Sequence, residues 1–375
     1  MPDKKKKPNR NRKHGEGSVS YDTTRQKWQV AFYGSDGKRH YKRFDDEGVA
    51  NAYLIEQLNN INHGCFVAPS ELTVGQWVIE WIETYKKNSV KRTTYEYYVY
   101  ISKYIAPIGD IKLQDLQPYK IQKLYNGLLK RGLSKTTVHK VHAFLRSTYK
   151  AAYSMDMVQK DIMELIPAPK FEKKPVEIFD KEEIKSILET AKAKFPNRYP
   201  IVLLDVTTGM RMGEILGLRW CDVDLSKNEI FIRHTLSKSM LGKQLTTPKT
   251  KASIRKISIP LEMANVLRKL KNNVANMDIK QETFIFKTHN DTLIDRRTLE
   301  RSWERILYNA KVPYRKFHAL RHTHATTLLA EGIPIVEVSR RLGHSKIAHT
   351  LDLYGQSIKG YDEKISDKIS KIYNL

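Results

Sequence analysis

The feature that most constrains the fold of this chain is a stretch rich in proline and lysine near its middle. Residues 167–176 hold Pro167, Pro169 and Pro175 among several lysines and offer little apolar surface to bury. Such a composition is typical of a linker, because proline interrupts helices and sheets and charged side chains prefer water. With 375 residues, the chain is also too long for one ordinary core. We therefore predict that it folds in separate parts on either side of this stretch.

The part before the linker begins with a basic arm and a small strand–helix module. Residues 1–14 carry seven Lys or Arg and one Asp, which predicts a disordered arm. Within residues 15–64, apolar and polar residues alternate around Val30, a turn follows at residues 35–37, and an aromatic-rich stretch resumes. This pattern predicts a small three-stranded sheet backed by one helix that Asp45 caps. Because narrow sheets can enter a nucleic-acid groove, the basic residues of these strands are candidates for such contact, although a purely structural module stays the alternative. They are Arg25, Lys27, Lys38, Arg39, Lys42 and Arg43.

Residues 70–166 have an almost wholly helical pattern. Helix starts are indicated at Thr73, Thr93, Pro118 and Ser134, with short connectors between them, and this predicts a compact helical bundle. Basic and hydroxyl side chains lie at two of these starts, where free backbone N–H groups favour phosphate. An ordinary solvated face explains them equally well. These residues are Lys91, Arg92, Lys135 and Thr136.

The part after the linker, residues 177–357, mixes helical patterns with a few short strands. Asp180 is predicted to cap its first helix, and Gly209 to turn the chain after the second. Two strand-like stretches, FIRHTL and IRKISIP, flank a region predicted as a turn, which carries Lys249. We thus expect an α+β, multi-domain fold: a small three-stranded sheet plus a helix, a helical bundle, and a mostly helical third part with a small sheet.

The C-terminal tail, residues 358–375, is predicted to form an amphipathic helix. Its apolar residues recur every three or four positions with charged residues between them. The apolar positions are Ile358, Tyr361, Ile365, Ile369 and Ile372. Such a stripe needs a partner surface, and the sequence leaves open whether the helix packs on its own domain or on a neighbouring copy.

The charge balance indicates a polyanionic partner. Lys and Arg number 66 against 41 acidic residues, a net charge of +25, and an excess of this size is typical of nucleic-acid binding. Anionic membranes are the weaker explanation, since no basic amphipathic helix with an aromatic face stands out. The sequence has no apolar run of about 18 residues, and its first residues lack the apolar stretch of a signal peptide. We therefore expect a cytoplasmic protein without a membrane partner.

Six polar side chains in the second half have the chemistry needed to break a phosphodiester. They are Arg211, Lys249, His318, Arg321, His344 and Tyr354. Guanidinium groups grip two phosphate oxygens at once, imidazoles move protons near neutral pH, and a phenol can attack phosphorus. The sequence shows no carboxylate cluster and no P-loop beside them, and Cys65 and Cys221 are isolated. We expect strand transfer without metal, other cofactor or ATP.

The strings GMRMGE, HALRHTHAT, RLGH and LDLYGQ, which carry these residues, resemble the motifs of the tyrosine recombinase (phage integrase) family. Each motif alone is weak, but their order and the short gap from His344 to Tyr354 are together specific. The three-part layout is similar to that of integrases of temperate phages and conjugative transposons. The resemblance implies an arm-type DNA-binding domain (15–64), a core-binding domain (70–166) and a catalytic domain (177–357).

The resemblance implies that Arg211 and Arg321 clamp the scissile phosphate and neutralise the charge of the transition state. Glu214, three residues after Arg211, would orient the cluster without transferring protons. The neighbouring His322 and His324 are given no catalytic role, and we expect them to be structural rather than metal ligands.

The resemblance further implies that Tyr354 is the nucleophile. His318 would assist removal of its proton, and His344 would hydrogen-bond a phosphate oxygen. Lys249 would protonate the departing 5′ oxygen, with Lys251 as the alternative general acid.

The activity implied is site-specific recombination by two transesterifications through a 3′-phosphotyrosine, which integrates and excises a mobile element. The implied partners are double-stranded DNA at core and arm sites and three further copies in a tetrameric synapse. The sequence leaves open whether an accessory directionality factor is needed. A type IB topoisomerase shares this chemistry, but the basic N-terminal module favours a recombinase. An inactive DNA-binding relative would be expected to have lost one of these residues, and a metal-dependent nuclease lacks a ligand set.

Overall fold

In the computed structural model of this protein, the described residues are 17–172, 175–239, 242–247, 251–273, 282–288, 290–348, 350–351, 370 and 373. The chain forms two compact units, one ending at Glu172 and the other beginning at the next residue. This boundary falls within the stretch that the sequence marks as a linker. The finer division into an arm-type domain, a core-binding domain and a catalytic domain stays a prediction.

The first unit opens with a three-stranded antiparallel sheet and a helix. The strands are β1 (Ser18–Asp22), β2 (Lys27–Tyr33) and β3 (Arg39–Phe44), in the order β1-β2-β3, and the helix is α1 (Glu47–Asn62). Val30 and Phe32 point to the face that α1 covers, and they are fully buried against Ala50 and Leu54. Alternation along β2 therefore produced the expected half-buried sheet.

The start of α1 differs by one residue from the prediction. Its N-cap is Asp46, whose side chain accepts from the Val49 backbone N–H at 2.9 Å. Asp45 instead forms an ion pair with Lys27 at 3.0 Å. Both residues are aspartates, so composition alone does not distinguish them; the cap is the one whose extended backbone brings its carboxylate over the first turn.

A helical bundle follows in the same unit. Its helices are α2 (Val74–Glu80), continued by a π-helical turn (Trp81–Lys86), α3 (Arg92–Ser102), α4 (Pro118–Lys130) and α5 (Lys135–Ser154). Thr73 closes a capping box with Gln76, and Ser134 caps α5, as their positions in the sequence predict. Trp77 and Trp81 lie in the core of this bundle.

The second unit has seven α-helices among the residues described. They are α6 (Lys181–Lys194), α7 (Tyr199–Thr208), α8 (Met212–Leu216), α9 (Leu261–Asn273), α10 (Arg296–Ala310), α11 (Ala319–Ala330) and α12 (Ile335–Leu342). Six of them contribute to one core, while α12 packs on α11 in a smaller cluster. Helix α7 is apolar on almost every side and runs through the core, with Ile201, Val202 and Leu204 fully buried. Asp180 caps α6 as predicted, in a capping box with Glu183.

Short antiparallel sheets complete the second unit. One has the order β4-β5-β8, from β4 (Val223–Asp224), β5 (Glu229–Ile232) and β8 (Arg255–Ser258); the other is a hairpin of β6 (Thr235–Ser239) and β7 (Gly242–Thr246). The region predicted as a turn before Lys249 thus contains a strand. The reason is pairing with β6, which sets Leu236 opposite Leu245, and single-sequence periodicity does not reveal such a partner.

The predicted fold class, α+β with a small N-terminal sheet, a helical bundle and a mostly helical final part, is confirmed. Among the described residues, no helix is both long and apolar enough to cross a membrane.

Candidate active site

The site is built around the turn between α7 and α8, which presents Arg211. Gly209 ends α7 with φ at 63°, a left-handed conformation that favours glycine. A side chain at Gly209 would also meet its surroundings, because a Cβ there would lie 2.7 Å from His324 and 2.9 Å from Leu342. The turn then places Arg211 as the N-cap of α8, at the edge of a cleft.

Glu214 binds both the side chain and the backbone of Arg211. Its carboxylate accepts from Arg211 Nη1 at 2.9 Å and from the Arg211 backbone N–H at 3.0 Å. On its other side it accepts from Arg255 Nη2 at 3.0 Å, and the side chains of Glu214 and Arg255 are only 2% and 5% exposed. Burial raises the pKa of Glu214, but the charges of Arg255 and Arg211 reverse this and keep the pKa below its usual value. The carboxylate is therefore a fixed anion between two guanidiniums.

Arg321 lies on α11 and is 2% exposed. Its Nη1 donates to the carbonyl of Gly209 at 2.6 Å, and its Nη2 donates to the carbonyl of Leu342 at 2.7 Å. Burial lowers the pKa of Arg321, and the nearby charge of Arg211 adds to this effect. A guanidinium nonetheless stays cationic at neutral pH. Main-chain oxygens therefore hold a buried positive charge in the middle of the unit.

Three consecutive carbonyls at the end of α12 each receive a different arginine, and we call residues 341–343 the carbonyl strip. Arg255 Nε donates to the carbonyl of residue 341 at 2.6 Å, Arg321 to residue 342 at 2.7 Å, and Arg211 Nη2 to residue 343 at 3.2 Å. The last carbonyls of a helix have no partner within the helix and carry partial negative charge. The strip thus stabilises three guanidiniums crowded into one place.

His344 follows directly on the carbonyl strip. The left-handed Gly343, with φ at 68°, ends α12 and turns the chain at this point. The Nδ1 atom of His344 lies 2.8 Å from the hydroxyl of Thr350, which is fully buried. The same turn that gathers the arginines therefore sets the position of this imidazole.

His318 lies at the start of α11, where it is the N-cap residue. Its ring contacts that of His322 edge to face, with 4.6 Å between centroids. The surrounding protein lowers its pKa well below the usual value, chiefly through burial, with His322, Arg321 and Arg211 adding to the effect. His318 is therefore a neutral imidazole at pH 7, able to accept a proton.

Of these side chains, Arg211 and His318 line a basic cleft of about 910 Å³. Its lining includes Arg211, Lys238, Lys243, Arg296, Lys316 and His318. The hairpin β6–β7 contributes two of the lysines: Lys238 pairs with Asp295 at 3.0 Å, and Lys243 donates to the carbonyl of Leu293 at 2.5 Å. The cleft therefore offers positive charge beside the arginine cluster.

The structure brings together five of the residues that the sequence singles out: Arg211, Glu214, His318, Arg321 and His344. Lys249 and Tyr354 lie outside the described residues, as do most of the residues of the C-terminal tail. The backbone of Lys251 begins a short 3₁₀ turn, Lys251–Ser253. Because Lys249 lies outside the described residues, the choice between Lys249 and Lys251 as general acid stays open.

Sequence reasoning missed Arg255, His324 and Arg341 as parts of this cluster. Arg255 was visible only as one more basic residue at the start of a strand. Its partner Glu214 is 41 residues away, and the carbonyl of Arg341 that it contacts is 86 residues away. Among the described residues, no group of three or more His, Cys, Asp or Glu side chains is close enough together to hold a metal ion.

A buried arginine cluster open to a basic cleft, with a neutral histidine beside it, defines a protein that binds and processes a phosphodiester. The comparisons with known proteins name the family. Residues 177–359 match the phage integrase family, and residues 73–129 match the N-terminal SAM-like domain of phage integrases. This protein belongs to the phage integrase (tyrosine recombinase) family, as its motifs predict, and is a site-specific recombinase that cleaves and rejoins DNA.

Its relatives cover most of the chain. A XerC-like tyrosine recombinase of Caldanaerobacter subterraneus subsp. tengcongensis is 31% identical over 81% of this chain and 84% of its own length. The ICEBs1 integrase of Bacillus subtilis is 25% identical over 69% of this chain and 72% of its own. Both are similar proteins of the same family.

Solved structures share the fold. The Tn1549 transposon integrase in complex with a circular intermediate DNA has a TM-score of 0.70 at 20% identity, covering 79% of this chain and 99% of that one. A lambda integrase tetramer bound to a Holliday junction has a TM-score of 0.59 at 17% identity, covering 93% and 98%.

Proposed function

We propose that this protein is the integrase of a mobile genetic element, and that it inserts and excises that element through a 3′-phosphotyrosine formed on Tyr354. One observation carries the proposal. Hydrogen bonds to Glu214 and to the carbonyl strip hold Arg211 and Arg321 in place, while the Arg211 side chain stays 38% exposed at the cleft. A phosphate entering the cleft would therefore meet preorganised guanidinium charge.

The first transesterification forms a bond between the Tyr354 oxygen and phosphorus and breaks the bond to the 5′ oxygen. The phenol proton passes to His318, whose neutral imidazole can accept it. Lys249, or Lys251 in its place, gives a proton to the departing 5′ oxygen. Arg211 and Arg321 neutralise the charge that grows on the non-bridging oxygens, and His344 donates to one of them.

The second transesterification reverses these roles. A 5′ hydroxyl from the partner duplex attacks the phosphotyrosine, the lysine takes up its proton, and the Tyr354 oxygen leaves and is protonated again. One phosphodiester bond is exchanged for another, so the reaction needs no external energy source.

The N-terminal sheet supports the proposed arm-site role on one of its faces. Arg39 lies on the face away from α1, with its guanidinium 5.3 Å from the Tyr41 ring and 5.9 Å from the Tyr33 ring; both tyrosines are more than half exposed. By the alternation of the strands, Lys27 and Arg43 belong to the same face. We propose that this face contacts arm-site DNA.

Lys42, another candidate for DNA contact, lies on the other face. Its ammonium is 4.6 Å from the ring of Tyr53 in α1 and 5.6 Å from that of Phe44. It therefore serves packing at the sheet–helix junction. Arg25 and Lys38 lie in the turns that join the strands and stay candidates.

The candidates at helix starts in the bundle keep their proposed role beside core-site DNA. Lys91 is the N-cap of α3, where Arg92 begins the helix and pairs with Glu96 at 3.0 Å. Lys135 and Thr136 open α5 and are exposed. The free N–H groups of these helix starts support phosphate binding.

We further propose that four protomers assemble on two duplexes and that a directionality factor biases the reaction. The tetramer of lambda integrase on a Holliday junction, a fold relative, supports the assembly. A cytoplasmic location stays a prediction.

The proposal is tested with a nicked duplex that carries the junction between the element and its insertion site. Wild-type protein should yield an adduct that resists SDS and is removed by protease. Two such duplexes of different length should then yield recombinant products. Adduct formation with relaxation of plasmid DNA but no recombinants would instead identify a topoisomerase.

A further inference from the structure

His324 does not line the cleft and lies where three elements of the second unit meet. It sits on α11, its ring fills the space in which a Cβ at Gly209 would lie, and its Nδ1 atom is 2.9 Å from the carbonyl of Val206 near the end of α7. On its other side, Nε2 lies 3.2 Å from Nε of Arg341 in α12. The imidazole therefore bridges the ends of two helices that both contribute to the arginine cluster.

The hydrogen-bond partners of His324 determine which of its ring nitrogens carries the proton. Arginine Nε is only a donor and a carbonyl is only an acceptor. His324 must therefore carry its proton on Nδ1, facing Val206, and leave Nε2 unprotonated to accept from Arg341. Burial, with the charge of Arg341 second, lowers the pKa of His324 to about 4, in agreement with the neutral form.

Arg341 ties α12 to its surroundings through its side chain. Its Nη2 donates to the carbonyl of Thr207 at 2.9 Å and to the carbonyl of Ser258 at 3.2 Å. With the bond to His324, the guanidinium joins α12 to α7, to the end of β8 and to α11. These contacts add to what fixes the last turn of α12, a helix of only eight residues.

The carbonyl strip lies at the end of that last turn. The end of α7 is held in the same way: Val206, Thr207 and Gly209 give their carbonyls to His324, Arg341 and Arg321, in that order. Arg321 contacts both helix ends, whereas Arg211 contacts the strip through Gly343. The distance between the two helix ends thus sets how Arg211 and Arg321 stand relative to each other.

We propose that His324 and Arg341 are positioning residues for DNA strand cleavage, a neutral imidazole and a half-buried guanidinium that hold the carbonyl strip where Arg211 and Arg321 can bind one phosphate together. Neither side chain lines the cleft, so they act through the arginines. This inference rests on the proposed function and adds to it two residues to which the family motifs give no role.

The test uses a double-mutant cycle on the nicked attachment-site duplex. His324→Phe keeps a ring but removes both hydrogen bonds, and Arg341→Met keeps a long side chain but removes the guanidinium. At saturating DNA, each change should slow single-turnover adduct formation by about 10- to 100-fold, because a small misplacement of catalytic groups has effects of this size. The double variant should be no slower than the worse single variant, since both residues act by holding the same two helix ends together.

The affinity for DNA distinguishes a positioning role from general damage to the structure. The dissociation constant for the duplex should change by less than about twofold in each variant, since the DNA-facing surface is intact. Arg340→Met is the matched control, because the neighbouring Arg340 is exposed and pairs with Glu337 on the surface; its rate at saturating DNA should equal that of wild type. If Arg341→Met does not fold, Arg341→Lys replaces it, since one ammonium cannot serve three acceptors spread around a guanidinium.

Variants that melt earlier yet cleave at the wild-type rate well below their melting temperature would overturn the inference, as would additive losses in the double variant. A wild-type protein that forms no adduct on this duplex would contradict the proposed function itself, and the inference with it. An active wild type beside an equally active Arg341→Met contradicts the inference alone.

Discussion

Arg255 and Glu214 form a buried ion pair, with Nη2 and Oε2 3.0 Å apart and each side chain at most 5% exposed. The pair links β8 to the start of α8, 41 residues earlier in the chain. Since Glu214 also holds Arg211, the position of one catalytic candidate depends on a residue that lies outside the family motifs.

Removing Arg255 should destabilise the second unit. Arg255→Met leaves Glu214 buried with only the partly exposed Arg211 beside it, and breaking a buried pair costs about 3–5 kcal/mol. Urea unfolding should show a loss near the lower end of this range. The double variant Glu214→Met with Arg255→Met should recover most of it, because apolar side chains replace a buried pair at little cost. A double variant less stable than Arg255→Met would contradict this explanation.

Tyr354→Phe should abolish the covalent adduct while DNA affinity stays within about twofold, because only one hydroxyl is removed. Adducts are counted on denaturing gels after incubation with the nicked duplex. Tyr308→Phe, which alters a tyrosine that is 84% exposed, is the matched control and should leave the adduct unchanged. An adduct formed by the Tyr354→Phe variant would assign the nucleophile to another residue.

Arg211→Lys should slow adduct formation by more than about tenfold, or about 1.4 kcal/mol in the barrier. A lysine cannot contact Glu214, the carbonyl of Gly343 and a phosphate at the same time, whereas the guanidinium fork can. Arg340→Lys gives the matched control at the surface. A smaller effect than this would remove Arg211 from contact with the phosphate.

Helix caps and apolar faces could be predicted from the sequence because their causes are local. Thr73 and Asp180 each find their capping partner three residues on. The choice of Asp45 over Asp46 was wrong by one residue, since both carry the same side chain. Strand β7 was missed because its stability depends on pairing with β6 across a turn.

In the candidate site too, local features could be predicted and long-range contacts could not. Arg211, His318, Arg321 and His344 could be recognised because they stand in short strings of fixed order. The contacts that hold them could not be recognised, because they join distant parts of the chain through main-chain oxygens. The carbonyl of Gly343, for example, accepts from a residue 132 positions earlier. Every residue has such a carbonyl, so composition contains no sign of which ones are used.

Asp205 should make the stability of the second unit depend on pH. It is 1% exposed, and its Oδ1 atom has no hydrogen-bond partner among the described residues. Burial holds the pKa of Asp205 well above its usual range, although Arg321 opposes this. The folded protein therefore keeps a proton that the unfolded chain releases near pH 4, as an ordinary aspartate does at about that value. Stability from this group is complete below that pH and is lost as pH rises towards the folded pKa.

Asp205→Asn, which cannot titrate, isolates this effect. The unfolding free energy of the variant relative to wild type should increase by about 1.4 kcal/mol per pH unit above about pH 4, up to the folded pKa of Asp205. Urea titrations of both proteins measure this difference in unfolding free energy. They are carried out at several pH values from about 4, the ordinary pKa of aspartate, up to about 8. A difference that does not change with pH would show that Asp205 ionises equally in both states.

The two faces of the N-terminal sheet provide a matched pair of variants for the arm-site proposal. Arg39→Ala removes a cation from the face away from α1, whereas Lys42→Ala removes one from the face that packs on Tyr53. Only the first should weaken binding to duplexes from the ends of the element. The slope of log affinity against log salt should fall by about one for Arg39→Ala, as for a lost phosphate contact, and stay unchanged for Lys42→Ala. Equal losses of arm-site affinity in the two variants would show that the face away from α1 is not the DNA-binding surface.

The same division of labour predicts that cleavage of a short core-site duplex does not depend on the N-terminal module. Neither variant should alter this cleavage, and a protein lacking residues 1–64 should cleave the duplex as well. Loss of core cleavage by a folded truncated protein would refute the division of labour between the arm module and the rest of the chain.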